Sequence, residues 1–315
     1  MARRADTAGI LAGNRISIAR AISLVENDEP EAEVLLQVLF PHTGRAVRIG
    51  ITGPPGAGKS TLTTRLAAAY RREGKRVGII AVDPTSPFTG GAVLGDRVRM
   101  GDVELDAGVF IRSMASRGNP GGLSKATGDA ADILDAAGMD IVLVETVGVG
   151  QSELDIARAA DVTMVVLVPE SGDGIQAMKA GLMEIADLFV MNKADRPGAE
   201  QAIQALSSTL MFRHSTLPVP DVLRTVASEG QGVDEVLRAI AGFRERMDAD
   251  GGMTRRRRER LETRIADLVV HRVRRQLWTP ERRAELTASV DAVLRGERTP
   301  YDVAHALIER IGPAS

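Results

Sequence analysis

Gly53-Pro54-Pro55-Gly56-Ala57-Gly58-Lys59-Ser60 is the stretch that decides the fold. The octet fits G-x-x-x-x-G-K-[ST], and it stands between an apolar run, VRIGIT (47–52), and a helical pattern from Lys59 to Arg72. A strand, a glycine-rich turn and a helix in that order gather backbone N–H groups and the positive end of a helix dipole around one point, which suits phosphate groups. Gly53, Gly56 and Gly58 let the chain approach an anion closely, with Pro54, Pro55 and Ala57 completing the loop. Lys59 is placed to reach the β- and γ-phosphates, the Ser60 hydroxyl to bind Mg²⁺, and Thr61 to close the set in the first helical turn. The bland reading is a glycine-rich turn that opens a helix. The strand–loop–helix context weighs against it.

Working outward from this loop, short apolar runs alternate with helical stretches. VGIIAV (77–82), VFIR (109–112), DIVLVE (140–145), DVTMVVLV (161–168), DLFVMN (187–192) and VLRTVA (222–227) read as further strands. Many are apolar throughout, as expected of parallel strands covered on both faces. Helical patterns run from Leu123 to Ala137 and from Gly232 to Arg246. The fold class is therefore α/β, with a doubly wound, mostly parallel sheet over residues 46–250. A helical segment (1–45) precedes it, in which Ile10, Leu11, Ile18, Ile22 and Val25 recur at helical spacing. Gly251-Gly252 breaks the chain before a helical arm (251–315). There Leu261, Ile265, Leu268, Val269, Val273 and Leu277 form a stripe at spacings of three and four, and Pro280 and Pro300 stand at helix starts. The basic run RRRRER (255–260) reads either as a solvated helix start or as a docking face for an acidic partner or for phosphates.

Composition bounds the chemistry. The 315 residues are 44% hydrophobic and 26% charged, ordinary for a globular chain, and the formal net charge of -2 carries no signature of nucleic-acid or anionic-membrane binding. Cysteine is absent, which excludes thiol catalysis, disulfides and cysteine metal sites and fits a cytoplasmic setting. His42, His214, His271 and His305 are scattered, without zinc-ligand spacing. No window approaches the roughly 18 apolar residues of a membrane span. The opening MARRADTAGILAG is too short and polar for a signal peptide.

Asn192-Lys193-Ala194-Asp195 ends one apolar run and precedes a helical pattern, fitting N-K-x-D. The Asp195 carboxylate can accept hydrogen bonds from guanine N1–H and the 2-amino group together, and adenine offers neither donor. Two such charge-assisted bonds contribute roughly 3–6 kcal/mol when desolvated, enough to select GTP over ATP. Lys193 would lay its stem along the base. Val226-Ala227-Ser228 follows the last strand, where a backbone N–H is in position to meet guanine O6. An ordinary strand-to-helix turn would read almost the same. Glu145-Thr146-Val147-Gly148 stands where small GTPases carry D-x-x-G. The Gly148 N–H suits the γ-phosphate, and Glu145, longer than the usual Asp, suits Mg²⁺ held through water. Val149 stands where Ras-type proteins carry a water-orienting glutamine, and Gln151 is displaced by two residues, which predicts either slow intrinsic hydrolysis or a water positioned from elsewhere.

GPPGAGKST (53–61), AVDPTSPFTGGAVLGDRVRM (81–100), RSMASRGNPGGLS (112–124), VETVGVGQSE (144–153) and ESGDGIQAMKAGLMEIADLFVMNKAD (170–195) together resemble the MeaB/ArgK family of P-loop GTPases over almost the whole chain. The resemblance implies a GTP- and Mg²⁺-dependent chaperone of an adenosylcobalamin-dependent acyl-CoA mutase, chiefly methylmalonyl-CoA mutase, that gates cofactor loading and protects or reactivates its client. It implies a homodimer joined by the C-terminal helical arm. It also implies magnesium-site carboxylates at Asp83 and Asp96, which join Ser60 and Glu145, and a catalytic set of Lys59, Asp83, Glu145 and Gly148. Ser86 and Thr89 would sense the γ-phosphate, and Gln151, Asp173, Gln176 and Lys179 would form a partner-sensing switch. Read from the residues alone, Asp83 and Asp96 are equally well solvated loop acids, and Lys179 is a solvated helix lysine.

Two other classes compete. A P-loop kinase or ATPase linked to arginine/ornithine transport would prefer ATP, against which Asn192 and Asp195 argue. A nickel-enzyme maturation GTPase would call for a His- or Cys-rich segment, and the sequence has none.

Overall fold

The structure is a computed structural model that describes residues 6–84, 101–116, 122–146, 152–170, 182–211 and 220–309. Chain contacts divide it into two compact units, one running to Arg260 and one from Leu261.

The first unit opens with α1 (Thr7–Leu11), α2 (Arg15–Glu26) and α3 (Pro30–Leu39). Asn14 caps α2 by accepting the Ile16 and Ser17 N–H groups, and Pro30 starts α3 where a missing N–H costs nothing. Then follow β1 (Val47–Thr52), α4 (Lys59–Arg72), β2 (Val77–Pro84), α5 (Gly101–Glu104), β3 (Val109–Ser116), α6 (Gly122–Ala136), β4 (Ile141–Thr146), α7 (Ser152–Ala159), β5 (Val162–Leu167), α8 (Leu182–Ile185), β6 (Leu188–Asn192), α9 (Ala199–Leu210), β7 (Asp221–Thr225) and α10 (Val233–Ala249). The described strands form one sheet in the order β3-β2-β4-β1-β5-β6-β7, and every pairing is parallel. The doubly wound reading holds. VRIGIT and Lys59–Arg72 match their elements end to end, while β2 and β3 run farther than their apolar patterns, to Pro84 and Ser116.

Continuous apolar strands have a direct cause. Neighbouring residues face opposite layers, and both layers are dry. Ile79, Leu143 and Met164 join α4 and α10 in one core through Leu62, Leu66, Val236 and Ile240. Ile80 and Val142, one position away, join α2, α3 and α6 through Ile18, Ile22, Leu35 and Leu134.

The amino-terminal edge of the sheet carries a repeated device. Asp140, Asp161 and Asp187 each precede a strand, and each accepts a backbone N–H from its surroundings: Arg76, Arg48 and Thr163 respectively. These bonds pin strand register. The same edge absorbs the basic run at the start of α11 (Gly252–Leu277). Arg256 forks onto Asp187 at 2.7 and 2.8 Å, and Arg257 and Arg260 converge on Asp161. Arg255 and Arg258 stay exposed. The solvated reading of the run is thus corrected for three of its arginines, because buried carboxylates need cations beside them.

The second unit holds the rest of α11, then α12 (Pro280–Leu294) and α13 (Pro300–Glu309), with prolines at the two helix starts as the sequence predicts. Ile265, Val269 and Val273 of the stripe stand exposed. A cavity of about 320 Å³ lies among Leu277, Trp278, Leu286, Val290, Val303 and Leu307. Among the described residues no helix is long and apolar enough to cross a membrane.

Candidate nucleotide site

The sheet order reverses beside β1, which has β4 on one side and β5 on the other. The crevice at the carboxyl ends of the strands at such a point is where open α/β sheets bind ligands. Four sequence motifs arrive there on separate strands.

The glycine-rich loop leaves β1 at Thr52. Gly53 has φ +136°, and a Cβ there would lie 2.1 Å from the Val166 carbonyl oxygen, so no other residue fits against β5. Gly58 has φ +86° and abuts the Asn192 amide. Pro55 and Gly56 are exposed at the tip and Ala57 is buried. Lys59 is buried, and its Nζ donates to the carbonyls of Gly53 and Pro54 at 2.8 and 2.9 Å. The ammonium therefore sits inside the loop at the N-terminus of α4. Thr61, in the first turn, is exposed.

Beside it stands the end of β4. The register pairs Ile51 with Glu145, and the Ser60 Oγ donates to Glu145 Oε1 at 2.5 Å. Glu145 is buried at 4% exposure, and the neighbouring Thr146 Oγ1 donates to Thr52 Oγ1 at 3.0 Å. A hydroxyl and a carboxylate in contact form a hard oxygen pair of the kind that suits Mg²⁺, so the residues present fit the implied ion.

The base side is tied to the phosphate side through Asn192. Its Nδ2 donates to the Ala57 carbonyl at 2.8 Å, while its Oδ1 accepts from Thr225 Oγ1 and the Ala227 N–H, both at 3.0 Å. Lys193 adopts φ +56° and its Nζ donates to the Gly56 carbonyl at 2.9 Å, laying its stem across the gap. Asp195 is exposed two residues on. Arg196 donates to Glu170, which holds the Glu170 carboxyl below the usual carboxylate range. Val226, Ala227 and Ser228 form the turn after β7, closed by the Val226 N–H on the Gln231 carbonyl at 3.1 Å.

The structure thus brings together the glycine-rich loop, Glu145, Asn192, Lys193 and the Val226–Ser228 turn. Asp83 is placed by its backbone alone, at the end of β2 in register with Ala115. Asp96, Gly148, Gln151, Asp173, Gln176 and Lys179 lie outside the described residues, as do Ser86, Thr89 and Val149. Sequence reasoning missed Thr225, whose hydroxyl orients Asn192, and Arg65 of α4, which donates to the Ala227 and Ser228 carbonyls. A threonine closing a strand offered a weak signal for the first. No spacing marks the second.

Comparison with known proteins agrees with this arrangement. The family model described as methylmalonyl-CoA mutase-associated GTPase MeaB matches residues 18–282. A Pyrococcus horikoshii protein that carries a GTPase name is 48% identical over 307 residues, 95% of each chain. The mitochondrial methylmalonic aciduria type A homolog of Mus musculus is 33% identical over 321 residues, 96% of this chain and 77% of its own. Among solved structures, one titled LAO/AO transport system kinase superposes with a TM-score of 0.72 at 30% identity, covering 97% of this chain and 96% of the other.

Proposed function

We propose, for a chain that belongs to the MeaB family and is a P-loop GTPase, that its GTP cycle serves a cobalamin-dependent acyl-CoA mutase, gating adenosylcobalamin loading and protecting or reactivating the enzyme. The observation that carries the client assignment is the family match across residues 18–282. The name of the mouse relative points the same way.

The chain's own residues supply the following steps. The loop from Gly53 to Gly58 and the N-terminus of α4 receive the phosphates. Lys59 exchanges its contacts with the Gly53 and Pro54 carbonyls for phosphate oxygens, bringing a buried positive charge to where negative charge develops. Ser60 and Glu145, with Asp83 and Asp96, would hold Mg²⁺, which when bound neutralises phosphate charge. The Gly148 N–H would meet the γ-phosphate, so that its loss releases the segments that carry Gln151, Asp173, Gln176 and Lys179. Asp195 reads guanine, Lys193 packs on it, and the Val226–Ser228 turn meets its O6. The exposed stripe of Ile265, Val269 and Val273 supports a homodimer through the arm.

Basal GTP turnover is expected to be slow and to rise when purified methylmalonyl-CoA mutase is added. A mutase that neither binds nor changes the rate removes the client assignment. The transport-kinase title of the structural relative keeps one rival in view, and competition between ATP and GTP decides it. Guanine preference is the expected result, and Asp195→Asn should shift it toward xanthine nucleotides, whose 2-oxo group can accept from the new amide.

A further inference from the structure

Arg65 lies on α4, six residues after Lys59, half-buried, and it reaches back to the turn that follows β7. Its Nε donates to the Ala227 carbonyl at 3.1 Å and its Nη2 to the Ser228 carbonyl at 2.7 Å. Two fixed donors on consecutive carbonyls determine the orientation of the peptide planes between them.

The first of these planes is the one that matters. The Ala227 carbonyl and the Ser228 N–H belong to the same peptide unit, and in a trans peptide they point in opposite directions. A guanidinium holding the carbonyl toward α4 therefore aims the Ser228 N–H away from α4. The neighbouring N–H groups are already engaged: Val226 with the Gln231 carbonyl, Ala227 with Asn192 Oδ1, and Glu229 with the Val226 carbonyl. The Gly230 N–H donates to the Ala227 carbonyl as well, at 3.3 Å, so Arg65 holds that carbonyl together with the turn's own bond, and among the described residues from Val226 to Gly230 the Ser228 N–H is the donor left to face a ligand.

Resting on the guanine reading above, we propose that Arg65 is a specificity-determining positioning residue: it fixes the Ala227–Ser228 peptide so that the Ser228 N–H meets the 6-oxygen of guanine. Arg65 does not touch the nucleotide. It joins the helix that receives the phosphates to the turn that reads the base, beside the separate link through Asn192.

The test uses the full chain and four diphosphates: GDP, ADP as the adenine control, 6-thio-GDP, whose sulfur is a poor acceptor, and IDP, which lacks the 2-amino group that Asp195 reads. In the unsubstituted protein both analogues are expected to bind more weakly than GDP. Arg65→Met should weaken GDP about tenfold, the equivalent of one charge-assisted hydrogen bond. It should also shrink the 6-thio penalty toward onefold and leave the IDP penalty at its original ratio. Arg65→Lys, with a single donor head, should fall between the two and guards against a misfolded methionine variant. A full 6-thio penalty in a folded Arg65→Met protein overturns the proposal. So does an equal shrinkage of both penalties, which would mean a general loosening of the pocket. If the unsubstituted protein fails to prefer GDP over ADP, the guanine reading falls and the proposal with it, and that failure is visible before any variant is made.

Discussion

The Ser60 hydroxyl and the Glu145 carboxylate, 85 residues apart in the chain, touch at 2.5 Å because β4 lies against β1 with Glu145 in register with Ile51. Glu145 is buried and Ser60 half-buried where the phosphate loop becomes a helix. Glu145→Gln keeps the shape and removes the charge. It should lower Mg²⁺ affinity about 10–100-fold, read from a magnesium titration of GTP turnover. An unchanged titration would take Glu145 out of the metal site.

Asn192 is buried and serves three partners at once, in the phosphate loop, in β7 and in the base-side turn. Asn192→Ala leaves a buried carbonyl, a hydroxyl and an N–H without their partner. Stability should fall by about 2–3 kcal/mol. GTP and GDP should weaken by the same factor, since the lost link does not involve the γ-phosphate. Calorimetric titration with both nucleotides checks this, and a loss confined to GTP would contradict it.

Gly58 tests the same link from the other side. A Cβ at this position lies 2.3 Å from Asn192 Nδ2, and φ of +86° disfavours any side chain. Gly58→Ala should displace Asn192 and weaken GDP binding at least as much as Asn192→Ala. The double variant should cost little more than either single change, because both break one network. Additive losses in the cycle would show two independent effects.

These elements explain what a reader of the sequence can and cannot see. The loop from Gly53 to Ser60 and the helix behind it are legible because phosphate binding requires glycines, a lysine and a hydroxyl at fixed local spacing. Most of the strands are legible because burial on both faces makes them largely apolar, although β2 and β3 outrun that pattern where their last residues turn polar and β7 exposes Asp221 and Arg224. Arg65 is hidden because its partners are backbone carbonyls about 160 residues away in sequence, and a carbonyl carries no residue signature. The basic run misleads for a related reason. Arg256, Arg257 and Arg260 look solvated until the fold brings Asp161 and Asp187 to the same edge of the sheet.

That edge yields a prediction about acid stability. Burial pushes the Asp161 carboxyl up, but the charges of Arg260 and Arg257 and the Arg48 N–H outweigh it, and the net value lies below the ordinary 3.8. A carboxylate with a lowered folded pKa contributes stability that is fully present above its unfolded value and is lost as pH falls through the folded value. The arginines stay charged throughout. Asp161→Asn leaves Arg257 and Arg260 without their counter-charge, so at pH 7 it should cost about 3 kcal/mol, lowering Tm by about 6–12 °C. Below about pH 4 the unsubstituted protein begins to lose the same contribution, and the Tm difference between the two proteins should narrow steadily. Other acids titrate in both proteins and cancel in the difference. A difference that stays constant from about pH 7 down to about pH 3 would mean that the Asp161 charge does not stabilise the fold, and that the arginines are held by their hydrogen bonds alone.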